Sequence, residues 1–298
     1  MNKLYAFAAS VTVIFSVYLQ PVHAAIIEAR GSGNNTYYTF DPDSADLSLI
    51  AAIGYYSVDY APNGNLYALD RGTDALYQLS RTSGARTKLA DLSFNSGGGG
   101  FTVSNDGSQL YFTSRMDIYD RTSNLFRYSF GSGQIESLGD IVTPEFVNFT
   151  DIEFGRNGIL YAVGGDNSVQ ENCGQSDFSL FAVNIDTLAA NRIGSGLGIG
   201  MNCRSLASSL NADADGSMHM LLRPGRSGPT YGNKYYMGTI DLGTGLGGVD
   251  YSKVVTEDGG SYTPGVDLAY MTAVPVPSAV WLFASALAGM GWLRRSAG

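Results

Sequence analysis

Val58-Asp59-Tyr60-Ala61-Pro62-Asn63-Gly64-Asn65-Leu66-Tyr67-Ala68-Leu69 reads as an extended segment, a two-residue turn with glycine, and a second extended segment carrying Leu-Tyr. Asn-Gly and Asp-Gly supply the positive φ that tight hairpin turns require. The pattern returns as Phe101-Thr102-Val103-Ser104-Asn105-Asp106-Gly107 ahead of Leu110-Tyr111-Phe112, and again from Ile152-Glu153-Phe154 through Asn157-Gly158 to Leu160-Tyr161-Ala162-Val163. A degenerate copy runs from Leu210-Asn211 through Asp213-Ala214-Asp215-Gly216 into Met218-His219-Met220-Leu221.

Between these copies lies a second hairpin: Ala75 to Leu79 then Thr87 to Leu89, Leu125 to Phe130 then Ile135 to Leu138, Leu180 to Ile185, and Tyr235 to Leu242. Apolar and polar residues alternate there at period two, the mark of half-buried antiparallel strands. Each repeat is therefore four strands, the unit of a β-propeller blade. The turn glycines Gly64, Gly107, Gly158 and Gly216 are separated by 43, 51 and 58 residues, a widening assigned to longer loops around Cys173 and from Arg223 to Gly232. A fifth opening strand, Val266 to Met271, has no partner after it. Ala25 to Arg30, Thr36 to Asp41 and Leu47 to Ala52 supply its second, third and fourth strands. The expectation is an all-β chain whose residues 25–273 form a propeller of five four-stranded blades closed by strands from both termini. A six-bladed or irregular propeller is the main structural alternative; a pair of β-sandwiches fits the shared register less well. In wording, the repeat resembles the broad class of extracellular propellers with Leu-Tyr-Ala hairpins, which implies architecture and no single activity.

Composition agrees. The 298 residues include 38 Gly, 12% aromatic and 15% charged residues, which suits a turn-rich β protein and excludes a coiled coil. Three of the 18 basic residues, Lys3, Arg294 and Arg295, lie in the terminal segments, so the body has 15 against 27 acidic residues and a net charge of −12. That balance argues against nucleic acid as a partner.

Both ends read as addresses. Lys3, the apolar run Leu4 to Leu19 and the small residues before a cut between Ala24 and Ala25 form a secretory signal peptide over residues 1–24. Residues 274–298 comprise Val274-Pro275-Val276-Pro277, the uncharged run Ala279 to Leu293 containing Trp281, and Arg294-Arg295. They read as a rigid spacer, a hydrophobic helix and a basic stop that stays cytoplasmic, leaving the body outside. This tail resembles the PEP-CTERM sorting signal of Gram-negative bacteria, with Val276 where the commoner pattern has Glu. The resemblance implies cleavage near Pro277 by an exosortase-type peptidase and delivery to the cell surface or exopolysaccharide matrix, with the membrane held at least transiently. A permanent membrane helix is the alternative.

Cys173 and Cys203 are the only cysteines, and an even count in an exported chain is first read as one disulfide. Aligning the copies by their turns makes Asp59, Thr102, Glu153 and Asp267 equivalent, with the fourth copy open between Ser209 and Asn211. Carboxylates converging on a channel mouth are the chemistry of glycoside hydrolysis. The competing and favoured reading is that they cap turns or accept backbone N–H groups at the channel rim. His219 is the one histidine of the body, which leaves no multi-histidine metal site, and Asp213 and Asp215 make only half a calcium loop. Ser96 to Gly100 reads as a flexible loop with no helix to cradle phosphate. No cofactor is expected. The function expected is non-catalytic binding of polysaccharide or a surface protein, with Tyr55, Tyr56, Tyr231 and Tyr262 as stacking groups; the alternative is a secreted hydrolase or lyase using Asp59, Glu153 and Asp267.

Overall fold

The computed structural model describes residues 25–30, 35–40, 47–51, 57–70, 72–80, 83–94, 99–114, 123–144, 147–165, 178–198, 206–212, 216–223, 235–255 and 268–270. Among them, twenty strands make five four-stranded sheets. The first sheet joins the two ends of the body: β1 (Ala25–Arg30), β2 (Asn35–Phe40) and β3 (Leu47–Ala51) follow β20 (Leu268–Tyr270), which pairs antiparallel with β1 through Ala25↔Tyr270 and Ile27↔Leu268. The other sheets each use four consecutive strands. These are β4 (Ser57–Tyr60), β5 (Leu66–Asp70), β6 (Ala75–Leu79) and β7 (Arg86–Asp91); then β8 (Phe101–Val103), β9 (Gln109–Thr113), β10 (Ser123–Ser129) and β11 (Gln134–Ile141). They continue with β12 (Asn148–Phe154), β13 (Leu160–Gly165), β14 (Ser179–Val183) and β15 (Ala190–Ile193), and with β16 (Leu206–Ala212), β17 (Met218–Arg223), β18 (Tyr235–Ile240) and β19 (Gly247–Val255). The first strands touch in succession, β4 to β8 to β12 to β16 to β20 and back to β4, so they surround a common axis. This is a β-propeller arrangement.

The hairpin turns are one or two residues longer than the sequence reading holds. Gly64, Gly107 and Gly158 have φ of 82°, 71° and 78°, while Asn63, Asp106 and Asn157 do not share the positive φ. Gly64 N donates to Ala61 O at 2.8 Å and Ala61 N to Asn65 O at 2.8 Å, and the same pair of bonds closes Gly155 to Ile159. Those two are thus type I turns followed by a left-handed glycine, three-residue loops with a bulge, whereas Ser104 N on Gln109 O at 2.9 Å makes the loop at Gly107 four residues long. The Asn or Asp before glycine has another task. Asn63 Oδ1 accepts Asn65 N, Asp106 Oδ1 accepts Ser108 N and Asn157 Oδ1 accepts Ile159 N, at 2.9, 3.0 and 3.1 Å. The added length of the later copies lies between β13 and β14 and between β17 and β18, as the glycine spacing anticipates.

Apolar faces of adjacent sheets pack together. Between the β4–β7 and β8–β11 sheets lie Leu69, Leu76, Phe101, Leu110 and Phe112, with Phe94 stacked on Phe126 at 3.9 Å. Ile152, Leu160, Phe181 and Leu125 fill the next interface, and Val163, Leu180, Leu210 and Met220 the one after. Burial of such side chains contributes about 1.5–3 kcal/mol each.

Gly99 and Gly100 correct the flexible-loop reading of their segment. A Cβ on Gly100 would sit 2.1 Å from Ile152 N, and one on Gly99 2.1 Å from Thr113 O. Two strands approach each other there through glycine backbone, while Ser96 to Gly98 lie outside the described residues. The sorting tail, its expected hydrophobic helix, the signal peptide up to Ala24, and Cys173 with Cys203 also lie outside them. Among the described residues no helix is long and apolar enough to cross a membrane. Gly100→Ala is expected to cost roughly 2 kcal/mol or more in urea unfolding through overpacking. Gly133→Ala has φ of 67° and open space around it, so it should lose only about 1 kcal/mol from backbone strain.

Candidate functional site

An inner strand of a propeller sheet pairs on one side only, and its other edge faces the axis. Buried N–H groups on that edge need acceptors. Asp59 lies on β4 opposite Tyr67, Thr102 on β8 opposite Tyr111, Glu153 on β12 opposite Tyr161, and Asn211 on β16 opposite His219. The common register resolves the fourth copy in favour of Asn211 over Ser209. It also places His219 where the other sheets have tyrosine.

These side chains converge on the axis. Thr102 Oγ1 lies 2.8 Å from Glu153 Oε2 and 3.2 Å from Asp59 Oδ2. Asn211 Nδ2 donates to Asp59 Oδ1 at 3.3 Å. Each acceptor also takes the amide one residue beyond the equivalent position in the next sheet: Val103 N on Asp59 Oδ2 at 2.7 Å, Phe154 N on Thr102 Oγ1 at 3.4 Å, and Ala212 N on Glu153 Oε1 at 3.2 Å. Tyr60 N donates to Asp59 Oδ1 at 2.7 Å.

A third acid, absent from the sequence-based candidates, works one level along the axis. Asp151 Oδ1 accepts Phe101 N at 3.3 Å and Ile152 N at 2.9 Å, and its Oδ2 accepts Leu210 N at 2.5 Å. The signal for it was available, since Asp151 and Glu153 are two apart on one strand and so share a face. β-bulges between Phe149 and Asp151 on β12, and between Ala207 and Ser209 on β16, recur at this level.

Asp59, Asp151 and Glu153 are 4%, 2% and 6% exposed. Burial pushes the Asp59 carboxyl up to about 7, against the opposing pull of the Val103 and Tyr60 amides and the Thr102 hydroxyl. Glu153 is held well above the ordinary carboxylate range, first by burial and then by the charge of Asp59. Above the pair, a depression of about 280 Å³ opens at the turn end of the inner strands, with Tyr60, Ser104, Asn105, Phe154 and Arg156 in its wall. Asp267, the third predicted carboxylate, and Tyr55, Tyr56, Tyr231 and Tyr262 lie outside the described residues. Among the described residues no group of three or more His, Cys, Asp or Glu side chains is placed to hold a metal ion.

No protein-family model matches the chain, and no curated protein matches it. Among solved structures, TolB from Acinetobacter baumannii is similar at 13% identity with a TM-score of 0.51, over 81% of this chain and 56% of that one. This likeness shows the β-propeller fold. This chain therefore spans little more than half the length of that TolB chain. Virginiamycin B lyase from Staphylococcus aureus aligns with a TM-score of 0.41 at 11% identity, over 78% of this chain and 71% of its own. A chain of a Nidogen/Laminin complex aligns at 0.48 and 13% identity, over 84% and 99%.

Asp151→Ala removes the acceptor of three buried amides on three strands and should lower unfolding free energy by about 3 kcal/mol or more in urea titration. Asp106→Ala, in an exposed turn, should cost under about 1 kcal/mol.

Proposed function

We propose that the chain is an exported, surface-directed binding protein whose body is a five-bladed propeller, closed by strands from both ends, that engages polysaccharide or protein without catalysis. The observation that carries this reading is the occupation of the axis. A glycosidase keeps its two carboxyl groups about 5–9.5 Å apart with substrate or water between them. Here the space between Asp59 and Glu153 is taken by the Thr102 hydroxyl, and their oxygens are engaged by amides of neighbouring strands. Such carboxylates hold the ring together. Ligand contact then falls to the face around the depression, where Arg156, Ser104 and Asn105 offer polar groups beside Phe154 and Tyr60.

The delivery part of the proposal rests on the terminal segments: a leader cut between Ala24 and Ala25, and a tail of Val274, Pro275, Pro277, Trp281, Arg294 and Arg295 read by an exosortase-type peptidase. The second reading, a polysaccharide hydrolase or lyase, draws on the raised Asp59 carboxyl beneath an open depression.

Retention of the full chain on immobilised exopolysaccharide from the producing cells, or on its surface-protein fraction, tests the binding. Arg156→Glu is expected to weaken retention at least tenfold while the chain stays folded, checked by circular dichroism. Release of shorter saccharides by the native chain, lost in Asp59→Asn, would instead establish the hydrolytic reading. For delivery, mass spectrometry of cell-surface material should find the chain ending near Pro277; peptides covering residues 278–298 in that material would refute cleavage.

A further inference from the structure

Proton bookkeeping at the axis gives one result that holds whatever the ligand is. The Thr102 hydroxyl has one hydrogen but lies within hydrogen-bonding distance of two carboxyl groups, Glu153 Oε2 at 2.8 Å and Asp59 Oδ2 at 3.2 Å. With both acids ionised, one of these short contacts would set lone pairs against lone pairs inside a buried ring. A proton on one acid removes the conflict.

The donor count says which acid holds it. Asp59 faces four donors: Tyr60 N and Asn211 Nδ2 on one oxygen, Val103 N and the Thr102 hydroxyl on the other. Among the described residues, Glu153 receives one amide, Ala212 N, on Oε1, and its Oε2 lies against the threonine hydroxyl. Setting the shared hydroxyl aside, three donors favour the anion at Asp59 and one at Glu153.

We propose that Glu153 is a neutral carboxylic acid whose Oε2 proton is donated to Thr102, which in turn donates to an ionised Asp59, so that a single proton latches the inner strands β4, β8 and β12. Ala212 N on Glu153 and Asn211 on Asp59 extend the latch to β16. Both acids have raised proton affinity through burial, in keeping with this arrangement. Among the described residues, the other titratable or charged groups around Glu153 are Asp59 and Tyr60 of β4, Asp151 of β12, Arg156 of the following turn and Tyr161 of β13. Tyr111 stands opposite Thr102 and His219 opposite Asn211, and β8 and β16 themselves add Thr102 and Asn211, which do not titrate. Asp267, next to β20, lies outside the described residues.

The sign of the linkage follows. A carboxyl whose folded pKa lies above its unfolded value gives stability that is full below the unfolded value, near 4.5 for Glu, and lost as pH rises through the folded one. The loss therefore spans the range from about pH 4.5 upward through neutrality.

The test is thermal melting of the full chain from pH 5 to pH 8.5, native against Glu153→Gln. Glutamine copies the neutral acid, with its amide donating to Thr102 and its carbonyl accepting Ala212 N. The melting temperature of Glu153→Gln minus that of the native chain is expected to rise with pH and to be positive at pH 8.5. A difference that falls with pH means the native residue is an ionised acceptor, and a constant difference means it does not titrate in this range; either overturns the proposal. A ¹³C carboxyl titration of the glutamate-labelled native chain supplies the second readout, independent of any variant. One resonance should stay at the protonated position at neutral pH and be absent from Glu153→Gln; glutamates that all titrate in the ordinary range would overturn the proposal.

Discussion

The whole ring depends on how the inner edges of its sheets are satisfied. A sheet that radiates from an axis has a first strand with no neighbour on the axial side, and the amides of that edge are too buried for bulk water to serve them. Seven of them, on β4, β8, β12 and β16, are accepted by Asp59, Thr102, Asp151 and Glu153. Most of these bonds run from a side chain on one sheet to the backbone of another. They therefore add directional links between sheets that also meet through apolar faces, and such bonds constrain rotation about the axis more than nonpolar packing does.

An acceptor ring made only of carboxylates would repel itself in so dry a place. The chain avoids this by order. Going round the axis, Asp59 is followed by Thr102, Glu153 and Asn211, so the Thr102 hydroxyl stands between the two described acids and Asn211 reaches across to donate to Asp59. At the next level Ser57, Gly100, Asp151 and Ser209 include one acid among three small residues. Gly100 leaves no room for a methyl group beside Ile152 N. The departures from strict repeat symmetry are thus what make the repeats compatible with one another.

Much of the fold was legible because its signals are local. Glycines with positive φ recur at the four turns, and the alternating segments from Ala75 to Leu79 and Leu125 to Ser129 are strands, as period-two patterning requires. The pairing of β20 with β1 also follows from the sequence, because a single unpartnered strand at one end and three at the other leave one economical closure. Turn length was not legible. Asn-Gly is compatible with both two- and three-residue loops, and the choice is made by whether the Asn side chain bonds the amide two residues on, as Asn63 and Asn157 do. At the site, repeat alignment located Asp59, Thr102 and Glu153 but not Asp151, whose counterparts Ser57, Gly100 and Ser209 have no acidic character to align. The glycine pair Gly99-Gly100 looked like slack in the chain because the neighbour that demands it, Ile152, is 52 residues away from Gly100.

The same geometry bears on where a propeller of this kind can do chemistry or bind. Among the described residues, Asp59, Thr102, Glu153 and Asn211 meet at the axis, and a depression opens at the turn end, where Ser104, Asn105 and Arg156 stand over the acids. Those residues belong to turns whose backbones are fixed by their own Asx bonds and by contacts between sheets, such as Asn105 Nδ2 on Gly155 O at 2.8 Å. A ligand there would meet a preformed surface and would pay little ordering entropy on binding. Chemistry demanding a mobile acid would be poorly served, because withdrawing Glu153 from Thr102 and Ala212 N would strand the amide of a neighbouring sheet. The acids are best understood as the hub that keeps the rim in place.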